Sequence, residues 1–286
     1  MANPRHYKDI AKETGRAKNT EKENELLEVA QERFNFAQSG KTDMDGRNLH
    51  SKWKRLDEIY RGKQWGAVPE GKSAPVLNYT FSLVESIVPR LTDTAPEISV
   101  FPRRDPSAQV LADTLTTVQK YLWDVNGMQR KVGEAVRTSL KSGTTIYKVY
   151  WDWEKMYGLG DVAYTIVHPM NFFPDPRAYT IDQMEYCFTS TPRSLEKLRR
   201  MFPNKGHLVI PGAEWSTTEL GPGQTNEYVS NLVEYWFRDS EGNLCVMYYA
   251  GDIVLDVIGG EFDGSHEPVY RHNKFPFVRQ ANYPVD

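Results

Sequence analysis

Hydrophobic residues recur at helical spacing through the first half of the chain. Leu27, Ala30, Phe34 and Ala37 mark one amphipathic stretch between residues 24 and 39, and Leu49, Trp53, Leu56 and Tyr60 mark a second that Gly62 ends. A third stripe runs Leu77, Phe81, Val84, Val88 and Leu91, with Pro89 expected to kink it because proline lacks an amide donor. "TAPEISVFP" reads as a short strand between prolines. Asp105 and Pro106 then open a helix as N-cap and first-turn residue, with the stripe Leu111, Leu115, Val118, Leu122 and Val125. Asn126-Gly127 breaks it, and Met128, Val132, Val136 and Leu140 carry a further helix to a stop at Gly143.

After Gly143 the period changes from 3.6 to 2. Tyr147, Val149, Trp151 and Trp153 alternate with Ile146, Lys148, Tyr150 and Asp152, "YGLGD" turns the chain, and "VAYTIV" returns as a partner strand. "EYCFTS" is a strand, "SLEKLRRMF" a short basic helix, and residues 204–227 a polar loop rich in glycine and proline. "VSNLVEYWFRD" and "NLCVMYYA" flank "SEG" as a hairpin, to which "DIVLDVI" adds a strand. Helices first and strands after predict an α+β fold, a helical layer on antiparallel hairpins. The expected division is a mobile polar arm at 1–22, a helical part at 23–143, a β-rich part at 144–260 and a connector at 261–286.

Between the two strand regions stands "HPMNFFPDP", residues 168–176. Residues before proline are pushed out of the α region, so the stretch is expected to be extended and rigid. Phe172, Phe173 and Asp175 are its candidate structural or docking residues. It is read as a brace that pins a hairpin to the helical layer, with a docking loop for a partner as the sharper alternative.

Composition narrows the function classes. The 286 residues carry 35 Lys and Arg against 38 Asp and Glu, a net charge of −3, which argues against a general nucleic-acid binder. A protein that handles DNA without gripping it stays open. Cys187 and Cys245 are too few for a disulfide framework and read as reduced thiols. No apolar run approaches membrane-spanning length and no signal peptide is visible.

No catalytic set emerges. His6, His50, His168, His207, His266 and His272 are scattered without metal-ligand spacing, and no phosphate-binding glycine loop or nucleophile elbow is present. No cofactor or metal is expected. Glu70-Gly71-Lys72, with Asp57 upstream, matches the acid-x-Lys element of metal nucleases, but in a loop rather than on the strand that chemistry needs. Asp152 and Glu154 on one strand face read as solvated charges. Arg103 and Arg104 are candidates for phosphate or inter-subunit contacts. Aromatic residues make up 12% of the chain, with 7 Trp and 16 Tyr, the types favoured on surfaces half-buried against a neighbour. An α+β chain with many strand aromatics and no active site fits an assembly subunit.

The order of short segments carries a resemblance. "WKRLDEIYRGKQW", "VLNYTFSLVESIVPRLTDTAPEISVFPRRD", a helix pair ending in "LKSGTTIYKVYWDWE", "VHPMNFFPDPRA", "NLVEYWFRD" and "KFPFV" follow one another as in the portal proteins of tailed bacteriophages, across roughly residues 48–280. This similarity implies a ring-shaped dodecamer at one capsid vertex, in the virion and assembled in the host cytoplasm. It implies double-stranded DNA passing through without sequence-specific binding, and terminase, head-completion or adaptor, capsid and scaffolding proteins as partners. In that family the N-terminal half builds most of the wing, outside the channel, while stem, clip and crown come from later sequence. The chain stops at Asp286, where portal chains continue, so it is expected to be a fragment of a longer protein. Another virion structural subunit and a metal-dependent nuclease are the alternatives.

Overall fold

Thr20 starts the first helix, α1 (Glu21–Ser39). Its hydroxyl accepts from the Glu23 amide at 3.3 Å, and the Glu23 carboxylate accepts from the Thr20 amide at 2.7 Å. This reciprocal capping box satisfies two donors that the first helical turn leaves open. The computed structural model describes residues 19–43, 45–66, 71–102, 106–212 and 228–282.

The chain divides into two units, residues 1–49 with 169–275 and residues 50–168 with 276–286. Each is a helical element on an antiparallel sheet, so the α+β class holds. The division does not follow the linear order of helices and then strands. α1 joins the late strands because Leu27, Ala30 and Ala37 bury in their core.

In the first unit the described strands form a sheet of order β3-β4-β5-β6-β7. These are β3 (Phe172–Pro174), β4 (Tyr186–Ser194), β5 (Val229–Arg238), β6 (Leu244–Ala250) and β7 (Ile253–Ile258). β5 is flanked on both sides, and Tyr235, Trp236 and Phe237 in it are at most 3% exposed. A short helix, α6 (Leu195–Met201), buries Leu195 and Leu198 in a second cluster with Leu208, Leu232 and Ile253.

In the second unit the helices are α2 (Leu49–Tyr60, one residue of it in the first unit), α3 (Tyr79–Thr92), α4 (Gln109–Val125) and α5 (Met128–Ser142). The sheet has the order β2-β1-β8, from β1 (Thr144–Asp152), β2 (Asp161–Val167) and β8 (Phe277–Ala281). The hairpin runs in strict register from Ile146↔Val167 to Asp152↔Asp161. Gly143, at φ +80°, takes the left-handed conformation that ends α5 and donates its amide to Ser139 O at 2.8 Å, so the chain can turn directly into β1. α3 and α5 meet through Val84, Val88 and Val136.

Four sequence expectations change. "TAPEISVFP" forms no strand; Pro96 and Pro102 lack amides, and Val100 N donates instead to Thr116 Oγ1 on α4 at 3.0 Å. The helix expected to open at Asp105 and Pro106 starts at Gln109, after a 3₁₀ turn at Pro106–Ala108. "HPMNFFPDP" is not extended throughout, since Pro169–Asn171 is a 3₁₀ turn. Phe277–Ala281, assigned to a connector, is a strand on β1. The arm through residue 18, Asp105 and the loop at 213–227 lie outside the described residues.

Candidate functional site

β3 brings the aromatic loop into the sheet. Phe172 opposes Thr189, Phe173 opposes Phe188 and Pro174 opposes Cys187 on β4. Both phenylalanines are buried, Phe173 to 1% exposure. The Phe173 ring meets Phe34 of α1 at 4.7 Å between centroids, and Phe34 meets Phe188 edge-on at 5.3 Å. Phe188 stacks on Tyr235, and Tyr235 on Phe237, each at 4.6 Å. A continuous aromatic row thus runs from the helix through the loop to the sheet centre, in the offset and edge geometries that ring quadrupoles favour.

Charged side chains fasten this row from the helix side. Lys41, just past α1, is buried and donates from Nζ to Pro169 O at 2.7 Å and Met170 O at 3.0 Å. Its ammonium lies 3.9 Å from the Phe173 ring centroid. Burial pushes its pKa down to about 7, outweighing the carbonyls and the ring face that favour the charged form. Arg33 donates to the Tyr235 hydroxyl at 2.6 Å and lies over Tyr186. Burial raises the Tyr235 hydroxyl to about 12, so it stays an O–H across the neutral range.

The far end of the loop is a turn. Asp175 is buried, and its Oδ1 accepts from Arg177 N at 3.0 Å while its carbonyl accepts from Ala178 N at 3.2 Å. Pro176 packs against the end of α1 so closely that a Cβ on Gly40 would stand 2.6 Å from Pro176 Cγ. Phe172, Phe173 and Asp175 are therefore all buried within this unit.

A second polar constellation ties the helices of the other unit together. Arg137 on α5 grips Glu85 on α3 with two parallel bonds of 2.6 and 2.9 Å, and Tyr60 donates to the same carboxylate at 2.5 Å. The Arg137 bonds, then the Tyr60 bond, hold the Glu85 carboxyl at about 2. Lys141 pairs with Asp57 at 2.8 Å, and Arg61 does so at 2.7 Å. Burial works against the Asp57 carboxylate, but Lys141 and Arg61 hold its pKa below the ordinary value. Each polar group here is spent on another, the pattern of a structural clamp between helices.

The candidate residues separate accordingly. Phe172, Phe173 and Asp175 come together with Lys41 and Arg33, which the hydrophobic pattern did not single out; only their place on and after the α1 stripe hinted at them. Arg103, Arg104 and Glu70 lie outside the described residues. Asp57 is engaged with Lys141 and Arg61 rather than with an acid-x-Lys partner. Asp152 accepts from Glu154 N at 3.1 Å as part of the hairpin turn. Among the described residues no three His, Cys, Asp or Glu side chains are grouped to hold a metal ion, and no helix is long and apolar enough to cross a membrane.

No curated protein matches the chain. A family model described as Phage P22-like portal protein matches residues 37–271, a span that takes in every described strand but β8. The chain belongs to the P22-like phage portal protein family.

Proposed function

We propose that the chain is a subunit of a ring at the capsid vertex, through which double-stranded DNA is packaged and later ejected. The ring would be a dodecamer, assembled in the host cytoplasm and retained in the virion. Terminase would dock on it during packaging, head-completion or adaptor proteins afterwards, and capsid and scaffolding proteins would surround it. The observation that carries this reading is the family match across most of both units. The subunit's role is structural, not enzymatic. Phe172, Phe173 and Asp175 act as a brace that fixes α1 to the sheet.

The charge balance supports the same reading. Translocation requires DNA to slide, and a strongly basic surface would bind phosphates and hold the duplex. A net charge of −3 is compatible with passage rather than capture.

The test is the assembly state of the full-length protein, by electron microscopy and mass measurement. Closed rings with one defined stoichiometry are expected, because heterologous contacts between identical subunits either close or make filaments. A strictly monomeric product at micromolar concentration would overturn the proposal.

A further inference from the structure

α4 was expected to bury the stripe Leu111, Leu115, Val118, Leu122 and Val125, yet only Leu122 of these is buried. At 100° per residue, Val110, Leu111, Leu115, Val118, Tyr121 and Val125 fall within one arc of about 140°. All six are exposed, from 42% at Val118 to 77% at Val110. The charges of the helix, Asp113, Lys120 and Asp124, lie together on another arc, and the helix rests on the protein through Ala112 and Leu122. Leu122 falls inside that arc, next to Leu115, so the helix meets its own unit along one edge of the arc and leaves the rest of it to water, the pattern of an element with a second partner.

The patch continues past the helix. Tyr121 Oη lies 3.6 Å from Met156 Sδ at the tip of the β1–β2 hairpin. There Met156, Tyr157 and Leu159 are exposed, and Tyr157 projects entirely into solvent. Met156 and Tyr157 both take the left-handed conformation, at φ +51° and +57°, which side chains other than glycine rarely adopt. Taking ~150–250 Å² for a fully exposed large side chain, α4 and the tip together offer on the order of 1,000 Å². The largest patch on a typical monomer is about 300–600 Å², while a stable interface takes about 800 Å² from each partner.

A ring needs two different faces on each subunit, one for each neighbour. The same unit supplies the other. α3 and the residue pair before it expose Leu77, Tyr79, Leu83 and Leu91. At 100° per residue Arg90 falls on this face, between Tyr79 and Leu83, while Glu85 is occupied by Arg137. Aromatic and Arg side chains among apolar ones, with few other charges, are the compositional mark of an interface.

We propose that the apolar arc of α4 with the hairpin tip in one copy seats against the exposed apolar face of α3 in the next copy, closing the ring. The inference rests on the ring reading and names the surface that makes it.

The experiment uses the full-length protein and mass photometry. Wild type is expected as rings. Leu111→Glu with Leu115→Glu should lower the ring population at least tenfold at equal concentration with an unchanged circular dichroism spectrum. Val29→Glu, on the exposed side of α1, should leave rings intact. Leu83→Cys with Leu115→Cys, oxidised, should give a ladder of covalent oligomers, and the native Cys187 and Cys245 are buried and do not compete. Wild-type rings with an unaffected double glutamate variant would place the contact elsewhere and overturn the inference while leaving the ring standing. If the glutamate variant misfolds, the ladder decides: its absence from a folded cysteine variant that still forms rings overturns the inference. A monomeric wild type would remove both.

Discussion

Lys41 puts an ammonium group beneath an aromatic ring where water is nearly excluded. Its pKa falls from 10.5 to about 7 by burial, so between those values the unfolded chain holds a proton that the folded chain has released. Stability therefore rises with pH across that interval, and below about 7 the cost of the buried charge is fully present. Lys41→Met removes the titration. Relative to it, the wild type should gain about 2 kcal/mol between pH 7 and pH 9, since the titrations of Cys245 and the tyrosines are common to both proteins and cancel. Denaturant melts of both proteins at the two values would show it, and parallel pH dependences would refute it. Phe173 tests the same region through packing. Phe173→Ala should cost about 3–5 kcal/mol and Phe172→Ala a similar or smaller amount. If both variants melt like wild type, the brace fails and a docking role for the loop returns.

At the scale of elements, α1 and α5 carry glycines with opposite expectations. Gly40 lies against Pro176, and Gly40→Ala would force a Cβ to within 2.6 Å of a proline ring carbon, so about 1–3 kcal/mol of destabilisation is expected. Gly133 sits inside α5 with nothing within 4 Å of an added Cβ, and Gly133→Ala should stabilise by about 0.5–1 kcal/mol through helix propensity. Thermal melts that move in the same direction for both would contradict this packing. The elements themselves were largely legible, because a stripe of Leu27, Ala30 and Ala37 or the alternation from Ile146 to Trp151 follows from backbone period alone. What each stripe meets was not legible. Leu111 and Leu27 are the same kind of signal, yet one faces water and the other the core. β8 was missed because "FVRQA" is short and its partner, β1, lies more than a hundred residues away. Phe172 and Phe173 were legible as candidates, but Lys41 was not, since a lysine after a helix stop ordinarily reads as solvated.

At the scale of the whole molecule, the charge balance makes a prediction about DNA. The chain carries a net charge of −3, with Arg103, Arg104 and the Lys and Arg of the N-terminal arm as its best basic candidates. Specific duplex binding is not expected, and non-specific binding should be no tighter than about 10⁻⁴–10⁻⁶ M and weaken steeply with salt. A titration of labelled duplex at two salt concentrations measures this. Nanomolar, sequence-selective or salt-insensitive binding would contradict it.

The return of β8 to β1 has a consequence for biosynthesis. The segment 169–275, which builds most of the other unit, lies in sequence between the first two strands of this sheet and its third. A ribosome adding about 5–20 residues per second needs on the order of ten seconds to cross it. Throughout that interval the edge of β1 from Thr144 to Lys148 has been made and its partner Phe277–Ala281 has not. An open edge of that kind is a template for pairing with another nascent chain. Chains translated close together on one messenger are most exposed to this hazard.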